Sequence, residues 1–246
     1  MMKAFVLAAG LGTRLRPFTL TNPKALVEVG GVPMLERVIL RLKDEGFGRI
    51  VVNVHHFGGK IEDFLRSKDN FGLDIRISDE RELLRDTGGG ILYAMPMLGE
   101  DDEPFLVHNV DILSDASLRG LMENHKGSGA GATLLVSGRE SSRRLLFRDG
   151  GLCGWKNENS GEYKPAGYLP EEDDRAYAFS GIHVMSPRMV RREMERQGRQ
   201  DAPFSVIDFY LSSIGHMAVR GEVAERLQLI DIGKPETLAR ANALLP

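Results

Sequence analysis

The first chemistry visible in the chain is the run Leu7-Ala8-Ala9-Gly10-Leu11-Gly12-Thr13-Arg14-Leu15-Arg16-Pro17, followed by Asn22-Pro23-Lys24. An apolar stretch stops at two glycines one residue apart. Backbone bent there can turn successive N–H groups toward a polyanion as a nest. Arg14 adds a planar guanidinium and Lys24 a mobile ammonium. Such a loop suits the triphosphate of a nucleotide. Two familiar phosphate loops do not fit: a Walker loop needs Lys and Ser/Thr after its last Gly, where Thr13-Arg14 stands, and a dinucleotide fingerprint needs a third Gly where Leu15 stands.

Two acids could serve a divalent cation. Asp111 closes His108-Asn109-Val110-Asp111 and Asp231 lies in Leu229-Ile230-Asp231-Ile232-Gly233, both at expected strand ends. Mg²⁺ takes hard oxygen ligands and needs only one or two carboxylates, and such an ion could screen the phosphates of a nucleotide held at the loop. Capping of the following turn is the alternative for each Asp. Thr87-Gly88-Gly89-Gly90 opens an expected helix whose first N–H groups favour oxygen acceptors, with a plain helix-start turn as the alternative. Gly181, in Phe179-Ser180-Gly181, interrupts a strand pattern, a sign of close approach by ligand or backbone. Glu80 reads equally as a solvated acid or a ligand. The six histidines form no recognisable site, Cys153 has no base beside it, and Lys156 reads as solvated.

The elements that must position these residues follow from periodicity. Residues 4–9 form a continuous apolar run, as in a parallel strand covered on both faces. A helix is expected after Pro33, ending at Gly46, with Leu35, Val38, Ile39 and Leu42 inward. Strands follow at 49–54, 74–78, 105–112 and 132–137, alternating with helices at 60–68, 91–97 and 118–125. This predicts an α/β fold, a doubly wound, mostly parallel sheet over about residues 1–140. Ligands of such sheets bind beyond the strands' carboxyl ends. A hairpin turning at Asp149-Gly150-Gly151, a polar loop over 157–174, a strand at 177–185, helices at 188–196 and 206–214, a strand at 227–232 and a last helix at 235–245 make a smaller second lobe. One domain over 1–246 is expected, with the nucleotide part at about 1–140 and a substrate-side lobe at about 141–246.

The N-terminal motif resembles that of the nucleotidyltransferases that make NDP-sugars from sugar 1-phosphates. Their G-x-G-T-R, P-x-T and P-K elements are matched by Gly10-Leu11-Gly12-Thr13-Arg14, Pro17-Phe18-Thr19 and Pro23-Lys24, and the likeness continues through Gly30-Gly31-Val32-Pro33. Within that family the chain is most similar to short members of the N-acetylmuramate 1-phosphate uridylyltransferase type. The resemblance implies a Rossmann-like fold and Mg²⁺-dependent attack of a sugar 1-phosphate on an NTP, with UTP the expected nucleotide, giving an NDP-sugar and pyrophosphate. It assigns Arg14, Lys24 and Asp111 to catalysis, and Leu7, Ala9, Gly10, Gly12, Thr13, Arg14, Thr87 and Gly88 to the nucleotide. Asn109, Val110, Ser180 and Gly181 fall to the sugar, and Asp111 and Asp231 to the metal. Val110 stands where the family usually has Gly, narrowing the space beside the sugar phosphate. A cytidylyl- or guanylyltransferase on another phosphorylated compound is the alternative enzyme, and a silent NDP-sugar-binding regulator the alternative from another class.

Composition sets the remaining bounds. With 32 Lys+Arg against 35 Asp+Glu the net charge is -3, which argues against a nucleic-acid or anionic-membrane partner. A single cysteine excludes an internal disulfide and fits a reducing, cytoplasmic setting. A monomer or small homo-oligomer is expected.

Overall fold

A computed structural model describes residues 1–198 and 202–245. The first half runs β1 (Met2–Leu7), β2 (Glu28–Val29), β3 (Val32–Pro33), α1 (Met34–Asp44), β4 (Phe47–Val54), α2 (Gly58–Ser67), β5 (Asp74–Asp79), α3 (Asp86–Leu98), β6 (Phe105–Asn109), β7 (Ile112–Ser114), α4 (Leu118–Ser128) and β8 (Ala132–Ser137). The second half runs β9 (Arg143–Arg148), β10 (Gly151–Asn157), β11 (Tyr163–Lys164), β12 (Arg175–Met185), α5 (Pro187–Arg196), α6 (Val206–Ser212), β13 (Val219–Val223), β14 (Leu229–Asp231) and α7 (Pro235–Leu244).

The main sheet has the order β11-β10-β13-β8-β12-β6-β1-β4-β5, with β9 pairing β10 and β12. Its β6-β1-β4-β5 part is parallel throughout, as the buried apolar runs require. Alternate residues of these strands feed two core layers. Ala4, Val6, Ile50 and Val52 pack with Leu35 and Val38 of α1, Ile61 and Leu65 of α2, and Leu118 and Leu121 of α4. Phe5, Val51 and Val107 pack on the other face with Ile91 and Ala94 of α3, Val190 and Met194 of α5, and Phe209 and Tyr210 of α6. The sheet is therefore wound on both faces, as expected.

Two strand placements go beyond what the expected elements specify. β8 does not join β6, because β12 lies between them, antiparallel to both. The second lobe is thus woven into the nucleotide half through one central strand. The expected strand at 227–232 shortens to β14 and leaves the main sheet to pair antiparallel with β7. The expected strand at 105–112 divides accordingly into β6 and β7, and the chain bends at Val110-Asp111 between them. β13 carries no clear sequence signal because Arg220-Gly221-Glu222 interrupt its apolar pattern. The hairpin turn forms as read, with Asp149 at φ 50° and Gly150 at φ 75°, the left-handed pair of a two-residue turn.

Candidate active site

β1 ends at Leu7 and the chain crosses the carboxyl ends of β4 and β6. Asn53, near the end of β4, accepts hydrogen bonds from the N–H groups of Ala8 and Ala9 at 2.6 and 3.1 Å. Beyond them the loop turns outward. Among the described residues, the N–H groups of Gly10, Leu11, Gly12, Thr13 and Arg14 have no protein acceptor. Gly12 takes the left-handed conformation, φ 59° and ψ 31°, which favours Gly. A Cβ on Gly12 would stand 2.9 Å from Cβ of Lys24. The Thr19 hydroxyl donates to the Gly12 carbonyl at 2.9 Å, which gives the P-x-T element a structural reason: it pins the bend.

The charged groups converge at the mouth of this loop. Lys24, 9% exposed, is ion-paired with Asp111. The Asp111 carbonyl accepts from Ile232 N–H at 3.0 Å, so β14 is held beside the β6–β7 bend. Asp231 Oδ1 accepts from Gly233 N–H at 2.7 Å. A Cβ on Gly233 would lie 2.7 Å from Asp231 Oδ1, 2.9 Å from Arg14 Nη2 and 3.2 Å from Lys24 Nζ. Three functional groups from three distant segments thus meet around one glycine, whose missing side chain leaves them room. Among the described residues there is no cluster of three or more metal-ligating side chains. Two carboxylates on neighbouring strand ends are nevertheless a donor set that fits Mg²⁺, which completes its shell with water and phosphate oxygens.

A cleft of about 410 Å³ opens beside the loop. Leu7, Ala9, Gly10, Lys24 and Asp111 line it, and Thr87, Asn109 and Val110 complete the wall among the residues expected there. Asn53, Leu84 and Asp86 line it too and were not singled out from sequence, and so does Glu80, which the sequence left open between a solvated acid and a ligand. Glu80 is 1% exposed, not solvated. Its Oε1 accepts from Asn53 Nδ2 at 2.8 Å and its Oε2 from Arg85 N–H at 3.0 Å. Burial pushes its carboxyl above the usual range, against the opposing effect of those hydrogen bonds. The available signal for Asn53 was a lone amide inside the apolar run over 50–54.

Thr87 accepts Val206 N–H on its hydroxyl at 2.9 Å, tying α3 to α6. Gly88 lies away from the cleft lining: its N–H donates to the Phe204 carbonyl at 2.8 Å, and a Cβ there would come within 2.2 Å of the Phe204 ring. Its role in this structure is close packing. Ser180 is likewise turned inward, its hydroxyl donating to the Leu135 carbonyl at 2.8 Å. Gly181, φ 76°, stands at an irregularity in the β12–β8 ladder, and a Cβ there would come within 2.8 Å of Asn109 Nδ2. Gly181 therefore leaves room for Asn109 in the cleft wall. Lys156 is paired with Glu158 at 2.9 Å. A second hollow of about 360 Å³ is lined by Trp155, Lys164 and Asp208 among others. There the Lys164 ammonium lies 5.2 Å from the centre of the Trp155 ring and 3.6 Å from Asp208.

With this geometry in place, the family profile described as "Nucleotidyl transferase" matches residues 3–146, which span the loop, Asp111 and the cleft. The chain belongs to that family. It is a nucleotidyl-transferring enzyme. It is 33% identical over 257 aligned positions to an N-acetylmuramate alpha-1-phosphate uridylyltransferase of Caulobacter vibrioides, covering 98% of this chain and 96% of the relative. It is 39% identical over 192 residues to a mannose-1-phosphate guanyltransferase of Aspergillus oryzae, covering 78% of this chain and 51% of that relative. The solved inositol-1-phosphate CTP transferase of T. maritima superposes with a TM-score of 0.76 at 16% identity, covering 100% of this chain and 95% of the other, a likeness of fold. Among the described residues, no helix of this nucleotidyltransferase is long and apolar enough to cross a membrane.

Proposed function

We propose that this nucleotidyltransferase joins UTP to a sugar 1-phosphate, releasing pyrophosphate and a UDP-sugar, with Mg²⁺ as its metal. The convergence of Arg14, Lys24 and Asp231 around Gly233, at the edge of a row of N–H groups without an acceptor among the described residues, carries the reading. A triphosphate needs that combination: many aimed donors, two mobile cations and an acid pair for a counter-ion. The full-length likeness to a uridylyltransferase supports the choice of base and of a sugar phosphate.

A phosphate oxygen of the sugar attacks the α-phosphorus of the nucleotide, and pyrophosphate leaves in line. A phosphate monoester has a second pKa of about 6, so the nucleophile is already mostly dianionic at neutral pH and needs no general base. The barrier is the meeting of two polyanions. Positioning and charge neutralisation lower it. Arg14 holds the β- and γ-phosphates and stabilises the leaving pyrophosphate. Lys24 gives up Asp111 and bridges the α-phosphate and the incoming phosphate. Asp111 and Asp231 would hold the Mg²⁺, which when bound offsets phosphate charge. The wall of Asn109 and Val110 faces the sugar side, where the Val110 side chain limits what fits.

The test is pyrophosphorolysis over a panel of NDP-sugars with Mg²⁺, following NTP release. UDP-sugars are expected to react fastest. Preferential turnover of GDP-mannose would replace the uridylyl reading with the guanylyl one that the second relative suggests. Binding of nucleotide without any pyrophosphate exchange would point to a silent sensor.

A further inference from the structure

The Asn53–Glu80 pair lies beneath the phosphate loop and is not used by the reaction. Both side chains are buried, at 2% and 1% exposure. Asn53 Oδ1 receives two N–H groups, from Ala8 at 2.6 Å and Ala9 at 3.1 Å. Its amide can therefore adopt only one orientation, with Nδ2 donating to Glu80 Oε1 at 2.8 Å. Glu80 is fixed in turn from above and below: Oε2 accepts Arg85 N–H at 3.0 Å, its backbone N–H donates to the Val54 carbonyl at 2.8 Å, and its carbonyl lies 2.7 Å from His55 Nδ1. The α3 helix passes directly over the pair. A Cβ on Gly90 would lie 2.8 Å from Glu80 Oε1 and 3.2 Å from Asn53 Nδ2, so the third glycine of Thr87-Gly88-Gly89-Gly90 is what leaves them room.

The pair thus ties the ends of β1, β4 and β5 and the start of α3 into one hydrogen-bonded unit. Its effect on the loop is directional. The two N–H groups that Asn53 captures immediately precede the five that, among the described residues, have no protein acceptor. Consecutive peptide planes are rigid, so anchoring Ala8 and Ala9 sets where the next planes begin to turn. We infer that Asn53 and Glu80 are positioning residues for the triphosphate: Asn53 aims the loop, and Glu80 holds the Asn53 amide in the orientation that can do so. The inference rests on the nucleotide lying where "Proposed function" places it. It adds that the aim of the loop is set from below by a buried amide–carboxylate pair at the floor of the cleft.

The hydrogen-bond pattern suggests a stringent test. In Asn53→Asp the amide donor to Glu80 is replaced by a second carboxyl group, and at a pH where both are ionised the two repel and the link is lost. In the double variant Asn53→Asp/Glu80→Gln the same contacts return with donor and acceptor exchanged. The carboxylate now on β4 accepts Ala8 and Ala9 N–H, the amide now on the β5 side donates to its other oxygen, and the carbonyl of that amide accepts Arg85 N–H. Kd for Mg-UTP by calorimetry, KM for both substrates and Tm would be measured for wild type, Asn53→Asp, Asn53→Ala and the double variant. The single variants are expected to weaken nucleotide binding about 10-fold or more, with KM for the sugar phosphate changed less than about 2-fold. The double variant should recover to within about 3-fold of wild type. A structural role alone would lower Tm and leave both KM values in place. Unchanged nucleotide affinity in folded Asn53→Asp, or a double variant no better than Asn53→Asp, would overturn the inference. Wild type that binds no Mg-UTP would instead refute the functional reading beneath it.

Discussion

At the residue scale the site depends on a few groups at one point. Removing a single charge-stabilising donor typically lowers turnover by about 10²-fold or more, and that loss is expected in kcat for Arg14→Ala and for Asp111→Ala. Near-normal kcat in Asp111→Ala would remove it from the proposed metal site. Gly233→Ala is a sharper probe, because its Cβ would stand 2.7 Å from Asp231 Oδ1 and 2.9 Å from Arg14 Nη2. Its kcat is expected to fall at least about 10-fold with Tm little changed, since Gly233 packs against functional side-chain ends. That Arg14, Lys24, Asp111 and Asp231 would share one cleft was legible in the sequence, because the first two belong to one glycine-rich motif and the two acids stand at expected strand ends. The pairing of Asn53 with Glu80 was not, because a buried polar pair is recognised only when its partners are seen. The inward turn of Ser180 and the packing of Gly88 on Phe204 were hidden for the same reason: each depends on a segment far away in the chain.

At the element scale the site is assembled by strand ends and by two joints. The β14–β7 pair brings Asp231 beside Asp111. The α3–α6 joint, made by Gly88 N–H to Phe204 and Val206 N–H to Thr87, fixes Thr87 in the cleft wall. Gly88→Ala tests the second joint. In an open helix Ala would be favoured over Gly by about 1 kcal/mol, but here the added methyl meets the Phe204 ring. Overpacking of this kind costs about 1–3 kcal/mol, so a lower midpoint in urea is expected. A raised midpoint would show that the joint is loose. The parallel half of the fold was legible because buried strands read as unbroken apolar runs. The insertion of β12 between β6 and β8 was not, since nothing local in a strand states which neighbour it will take. Nor does a short run such as 227–232 reveal that it will leave the main sheet.

At the scale of the whole molecule, three imidazoles buried in the fold make stability depend on pH. Burial lowers the pKa of His108 and His125 to about 4 and, with the charge of His108 adding to it, that of His183 to about 3. These groups stay neutral in the folded state, while in the unfolded chain they protonate below about 6.5. Between those limits the unfolded state binds more protons, so stability falls as pH falls, by up to about 1.4 kcal/mol per pH unit for each imidazole. Tm is expected to decline steadily from about pH 7 to pH 5. The decline should be shallower in His183→Leu, because both ring nitrogens of His183 lack a hydrogen-bond partner among the described residues. An equal slope in the variant would contradict the assignment. The account as a whole turns on where a nucleotide's phosphates lie. A crystal structure with UTP and Mg²⁺ decides it: the phosphates are predicted along the N–H groups of residues 10–14, beneath Arg14 and Lys24, with the ion between Asp111 and Asp231. A nucleotide bound elsewhere, with that loop still facing only solvent, would contradict it.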